Sequence, residues 1–76
     1  MTNVKISLGS LEDIKEFNRL TCGIDAPADL SEGSYKVNAK NLIGLFTLDT
    51  NQALILSVHS DNCREYLKSI SKFLVN

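Results

Sequence analysis

The stretch VNAKNLIGLFTL, residues 37–48, holds five large apolar side chains within positions 42–48. Asn41 directly precedes them, and Asn is among the residues that best cap a helix start. The stretch therefore predicts a helix of barely two turns, although Gly44 lowers its intrinsic helix propensity. So short a helix buries only one face, so we expect at least two of the five apolar side chains to be exposed. The alternative is that all of them fill the core.

The chain after this stretch predicts a strand and then a helix. Residues 49–52, Asp-Thr-Asn-Gln, are typical of a polar turn. Residues 53–59 then predict a strand, with Leu54, Leu56 and Val58 at every second position on one face. Ser60 or Asp61 could cap the final helix, in which apolar residues follow helical spacing. Those apolar residues are Cys63, Tyr66, Leu67, Ile70, Phe73 and Leu74.

The chain before this stretch predicts a hairpin. Residues 28–30 and 35–37 are short extended segments, and Ser-Glu-Gly-Ser at 31–34 favours a tight turn between them. The hairpin supplies the second and third strands.

The first 27 residues predict a strand followed by an amphipathic helix. Apolar and polar residues alternate over positions 4–8, and Ser10 with Asp13 resembles a capping box ahead of apolar residues at helical spacing. We expect the helix to end near Cys22, because Gly23 can adopt the left-handed conformation that closes helices.

These elements follow one another in the order β-α-β-β-α-β-α. The order predicts an α+β fold, an open-faced β-sandwich in which helices cover one face of a four-stranded, mainly antiparallel sheet. No linker, repeat or low-complexity tract interrupts residues 1–76, which we therefore interpret as a single domain.

Composition narrows the classes of function. The formal net charge is -1, and the charges are interspersed, so we expect neither nucleic acid nor an anionic membrane as a partner. Apolar stretches are too short to span a bilayer and no charged leader precedes one, which predicts a cytoplasmic protein without membrane insertion. Cys22 and Cys63 lack CxxC spacing and a cluster of further ligands, so we expect reduced thiols, no metal site and no cofactor. We find no catalytic constellation and do not expect an enzyme.

Residues 37–48 resemble the VNLKSIMGVMSL region of HPr, the phosphocarrier family of the sugar phosphotransferase system. The strand, cap and helix that follow occur in the order that HPr uses, so the resemblance extends over nearly the whole chain and implies the HPr fold.

The phosphate-carrying motif of the family is missing. HPr has a loop ending in HARPA, whose His receives phosphate from phosphoenolpyruvate by way of enzyme I. Alignment along the first helix places Ser10 at the position of that His, Glu12 at the Arg and Asp13 at the Pro. A phosphohistidine needs an imidazole nucleophile, amides that hold the phosphate and a compensating cation. The resemblance therefore implies a degenerate member of the family that cannot carry phosphate there.

Two further positions follow from the resemblance. Asn41 stands where many Gram-positive members have a Ser that a kinase phosphorylates, and a carboxamide cannot accept phosphate. Leu42, Ile43 and Phe46 match the family's apolar patch for enzyme I and other partners. We therefore expect a monomeric protein-interaction or regulatory module whose partner belongs to or regulates the phosphotransferase system.

Two alternatives remain open at this stage. One is a phosphocarrier with an unconventional acceptor, either His59, the one histidine of the chain, or Ser10; their simpler roles are a strand-edge side chain and an ordinary helix cap. The other is an unrelated small-ligand regulatory domain of ferredoxin-like topology, which strand pairing would distinguish.

Overall fold

The structure is a computed structural model that describes residues 1–49 and 51–75. It contains a four-stranded sheet in the order β1-β4-β2-β3, and each neighbouring pair is antiparallel. The strands are β1 (Thr2–Ile6), β2 (Ala28–Glu32), β3 (Tyr35–Asn38) and β4 (Leu54–Val58). The helices are α1 (Leu11–Thr21), α2 (Leu42–Leu45) and α3 (Arg64–Ser69), followed by a 3₁₀ turn at Ser71–Phe73. The predicted α+β architecture and element order are confirmed.

The core lies between the helices and one face of the sheet. Alternate strand residues point into it, and the pairs Ile6↔Leu54 and Leu30↔Leu56 are fully buried. Phe17 of α1 meets Phe73 edge to face, with ring centroids 6.2 Å apart. The strand residues that alternate with these buried ones point to the opposite face of the sheet and are mostly polar. The sheet is therefore open on that side, as an open-faced sandwich requires.

The N-terminal elements differ from expectation in two details. Leu8 lies beyond the end of β1 yet is fully buried, because the chain continues beside the 3₁₀ turn, where the Ser7 amide donates to the Phe73 carbonyl at 2.8 Å. α1 ends at Thr21 with Cys22 as its C-cap residue, so the prediction of an end near Cys22 is confirmed. Gly23 does not close it in a left-handed conformation, since Gly33 is the one residue with positive φ in the described part of the chain. That expectation was wrong.

The β2–β3 turn is tighter than predicted. Ser31 and Glu32 belong to β2, and Glu32 pairs with Tyr35, which leaves Gly33 and Ser34 as a two-residue connection. Gly33 has φ +58° at the first central position, where type II′ turns place glycine. The expected turn at 49–52 includes Thr50, which lies outside the described residues.

The predicted cap of the last helix was wrong. The Ser60 hydroxyl accepts the Asn62 amide at 3.0 Å, and the Asp61 carboxylate accepts the Met1 amino group at 2.7 Å. The Ser60 hydroxyl and the Asp61 carboxylate therefore bind groups that precede the helix instead of capping it. α3 starts at Arg64 after Cys63, which makes no side-chain cap. α3 ends at Ser69, and Ile70 separates it from the 3₁₀ turn. The apolar spacing had predicted one continuous helix.

Candidate protein-docking site

α2 is a single short helix between β3 and the loop that leads to β4. Asn41 has extended backbone angles, φ -96° and ψ 103°, and its side-chain oxygen accepts the Gly44 amide at 3.2 Å. This is the predicted N-cap. The helix ends at Leu45 with Phe46 as its C-cap residue, earlier than predicted. After it, the Thr47 and Leu48 amides donate to carbonyls three residues earlier, which forms tighter turns.

The apolar side chains of this segment divide between the core and solvent. Leu45 is fully buried and Leu48 nearly so, whereas Ile43 is 77% exposed and Phe46 is 46% exposed. Leu42 is half-buried and packs against the core. The expectation that at least two apolar side chains are exposed is confirmed. Of the three residues predicted to bind a partner, Ile43 and Phe46 lie at the surface and Leu42 lies between surface and core.

Contacts with α1 and β3 fix the position of α2. The Asn18 side-chain amide donates to the Lys40 carbonyl at 3.0 Å, and the Lys40 ammonium donates to the Ile24 carbonyl at 2.7 Å. Val37 of β3 lies beneath the helix, where a β-carbon added to Gly44 would stand 3.5 Å from its Cβ. The exposed side chains are therefore carried by an anchored segment.

Tyr35 extends the apolar surface beyond α2. Its side chain is 47% exposed, and its hydroxyl lies 2.7 Å from the Thr47 hydroxyl, which itself donates to the Gly44 carbonyl at 2.6 Å. The tyrosine thus reaches the residue next to Phe46. Sequence reasoning did not include Tyr35 in the site; period two along β3 places it on the helix side with Val37, and that signal could have revealed it.

The start of α1 is occupied by acceptor oxygens of the chain itself. The Ser10 hydroxyl accepts the Asp13 amide at 3.2 Å, and the Asp13 carboxylate accepts the Gly9 amide at 3.1 Å. Glu12 adds a second carboxylate to the first turn. Two amides that could hold a phosphate are therefore engaged, and the two carboxylates would repel it.

His59 lies at the opposite end of the sheet from Ser10. β1 ends toward Ser10 at the pair Ile6↔Leu54, whereas His59 follows the last residue of β4. Five strand residues, about 15 Å, separate the two ends. One imidazole nitrogen, Nε2, lies 2.9 Å from a carboxylate oxygen of Asp29. His59 and Ser10 therefore cannot serve one site.

His59 borders a cleft of about 750 Å³ where β4, α3 and the loop between α1 and β2 meet. Its wall contains Arg64 together with the carboxylates of Asp25, Asp61 and Glu65. The Met1 amino group, through its hydrogen bond and its charge, lowers the pKa of Asp61 below its usual range. Residues 1–49 and 51–75 contain no cluster of three or more His, Cys, Asp or Glu side chains suited to a metal ion. Both cysteines are free thiols.

Comparison with solved structures identifies the architecture. HPr-C-His from Thermoanaerobacter tengcongensis superposes with a TM-score of 0.79 and 22% identity over 95% of this chain and 89% of that one. The Bacillus subtilis catabolite repression protein Crh, an intertwined domain-swapped dimer, gives a TM-score of 0.66 and 18% identity, covering 93% of this chain and 88% of its own. The chain has an HPr-like fold. No family model matches the sequence, and no curated protein matches it significantly.

The HPr-like fold excludes the ferredoxin-like alternative. Ferredoxin-like domains place their first strand inside the sheet, whereas β1 here is an edge strand that pairs with β4.

The helices of the described residues are all too short or too polar to cross a bilayer. Among the predicted site residues, the HPr-like fold gathers Leu42, Ile43 and Phe46 into one segment and leaves Ser10 at the start of another helix.

Proposed function

We propose that the protein is a non-catalytic HPr-like interaction or regulatory module, related to the phosphoenolpyruvate-dependent sugar phosphotransferase system, that binds a protein partner through Leu42, Ile43 and Phe46. It acts in the cytoplasm as a single-domain monomer and carries no phosphate at the start of α1. The partner is a component or regulator of that system.

The adjacent exposed side chains of Ile43 and Phe46 carry this proposal. They lie on a segment that Asn41 caps and that Lys40 and Val37 anchor, so binding would order little additional chain. Large apolar groups on a preformed surface provide the desolvation that drives protein association.

The start of α1 supports the non-carrier part of the proposal. A phosphoryl acceptor there would need the amides that Ser10 and Asp13 already occupy. Adding a phosphate beside Glu12 and Asp13 would bring like charges together without a compensating cation from the first turn. The proposal assigns docking and any phosphate acceptor to different elements, because the exposed apolar residues lie at α2 and Ser10 lies at the start of α1.

The test is an NMR titration of labelled protein with enzyme I and with phosphotransferase regulators from the same source. We expect amide shift changes centred on residues 41–48 for at least one component. Ile43→Thr should reduce the affinity severalfold, and Ile55→Thr, on the open face of the sheet, is the matched control. Absence of shifts at residues 41–48 with every component would refute docking through α2.

The position of His59 favours a second candidate function, a phosphocarrier with an unconventional acceptor. Nε2 of His59 is held by Asp29 and the residue borders the cleft, which leaves the other ring nitrogen as the possible nucleophile. This candidate, and the corresponding one at Ser10, predicts incorporation of phosphate from phosphoenolpyruvate and enzyme I that His59→Ala or Ser10→Ala abolishes. The proposed function predicts no incorporation in any of the three proteins.

A further inference from the structure

The docking surface, defined here as Tyr35, Leu42, Ile43 and Phe46, spans two elements. Tyr35 lies on β3, and the other three lie on α2 or at its C-cap. The hydrogen bond between the hydroxyls of Tyr35 and Thr47 links β3 to the residues that directly follow α2. A tyrosine fixed in this way offers a large contact area at low entropic cost, and tyrosine is enriched among residues that dominate binding energy.

The side of the docking surface toward α1 is basic. Asn18 and Cys22 both contact the Lys40 carbonyl, at 3.0 and 3.5 Å, so their side of α1 faces the start of α2. Lys15 lies three and seven residues before them and shares that side. Lys15 and Lys40 thus both contribute positive charge on this side, and the Lys40 ammonium lies by the Ile24 carbonyl just after α1.

The side toward the β2–β3 turn is acidic. The Asp49 amide donates to a carboxylate oxygen of Glu32 at 3.3 Å, which brings the two acidic residues together beyond the end of α2. Within residues 1–49 and 51–75, neither of them forms an ion pair, and the same holds for Lys15 and Lys40. The Lys40 ammonium donates to the Ile24 carbonyl, and the carboxylates of Glu32 and Asp49 accept hydrogen bonds from neighbouring amides. These neutral partners leave all four charges uncompensated, so a partner can still sense them.

We propose that the partner is a protein that presents an apolar segment flanked by acidic side chains on one side and basic side chains on the other. The acidic flank faces Lys15 and Lys40, and the basic flank faces Glu32 and Asp49. The inference rests on the proposed function and adds the partner's chemistry and orientation. An apolar centre supplies affinity, whereas a rim with two opposite charges selects the orientation and rejects partners of uniform charge.

Three synthetic amphipathic helical peptides test this proposal directly. All three carry the same apolar face; the first has Glu on one flank and Lys on the other, the second Glu on both and the third Lys on both. A helical peptide can lie in either direction, so one mixed peptide is sufficient. NMR titration should show shifts at residues 35 and 42–46, and the mixed peptide should bind about threefold to tenfold more tightly than either uniform peptide at low salt. High salt should reduce that ratio.

Single substitutions assign the effect to the named side chains. Lys15→Gln should reduce the ratio of affinities between the mixed peptide and the all-Lys peptide. Glu32→Gln, which keeps an acceptor for the Asp49 amide, should reduce the ratio between the mixed peptide and the all-Glu peptide. Lys68→Gln on α3 is the matched control and should change neither ratio. Tyr35→Ala should weaken all three peptides, whereas Tyr35→Phe should retain most of the binding.

The outcomes separate this inference from the proposed function. Equal affinities for the three peptides would overturn the charged rim and leave apolar docking intact. Binding that leaves residues 35 and 42–46 unshifted would overturn the inference, and the titration with phosphotransferase components then decides independently whether docking through α2 survives. Shifts at these residues that grow with protein concentration alone would identify a second copy of the chain as the occupant and would also overturn it.

Discussion

Ile43 and Leu45 are two aliphatic residues on one helical turn. We predict that truncating Leu45 strongly lowers the free energy of unfolding, whereas truncating Ile43 hardly changes it. Leu45 is fully buried, so Leu45→Ala should lower the free energy of unfolding by about 2–5 kcal/mol through lost burial and a cavity. A domain of this length has a total stability of about 4–11 kcal/mol. The variant should therefore be close to its stability limit.

Ile43→Ala should change the free energy of unfolding by no more than about 0.5 kcal/mol, because most of the side chain is already in water. Urea unfolding followed by circular dichroism measures both variants, with an m-value of about 1 kcal/mol/M for so small a chain. Loss of more than about 1.5 kcal/mol in Ile43→Ala, the range of a buried side chain, would refute the reasoning. Ile43 would then belong to the core and could not be offered to a partner.

Three further predictions concern the elements around the site. Gly33→Ala should destabilise the hairpin by about 1 kcal/mol, since alanine disfavours positive φ, whereas Gly44→Ala should stabilise by about 0.5–1 kcal/mol, because the new methyl meets only ordinary contacts; thermal unfolding that ranks them in the reverse order would contradict this. Asn41→Ala should cost about 1 kcal/mol and Asn41→Ser should recover most of it, as measured by urea unfolding; equal losses would show that the cap bond does not contribute. Burial raises the pKa of Tyr66, so the unfolded chain releases this proton first and stability should fall as pH rises above about 10; Tyr66→Phe should reduce that loss, and an unchanged slope of stability against pH would contradict the assignment.

The sequence predicted the elements whose signals are local and periodic. Alternation defined β1 and β4, and Ser10 and Asn41 marked helix starts that the structure confirms. The division of apolar residues in α2 also followed from counting, because a short helix has only one buried face. These features depend on neighbours a few residues away, which is why a single sequence was sufficient.

The features that sequence reasoning missed depend on contacts between distant segments. The Ser60 and Asp61 side chains had the right chemistry for caps, but the Asn62 amide and the Met1 amino group engage them first. Tyr35 joins the docking surface through Thr47, twelve residues away in the chain. No local pattern reports such pairings, since they follow from how the hairpin and α2 pack together.

The exposed apolar residues at α2 and the hydrogen bonds at the start of α1 differ in whether the stability of the fold explains them. Substituting polar side chains for Ile43 and Phe46 would remove little from the core, so the folded state does not require them to be apolar. The start of α1, in contrast, is closed by bonds to Ser10 and Asp13 that stabilise the helix and occupy two of the amides that could hold a phosphate. Stability therefore accounts for the start of α1 but not for the apolar surface beside α2. The proposed function in binding would account for that surface, and it requires no phosphate to pass through the site.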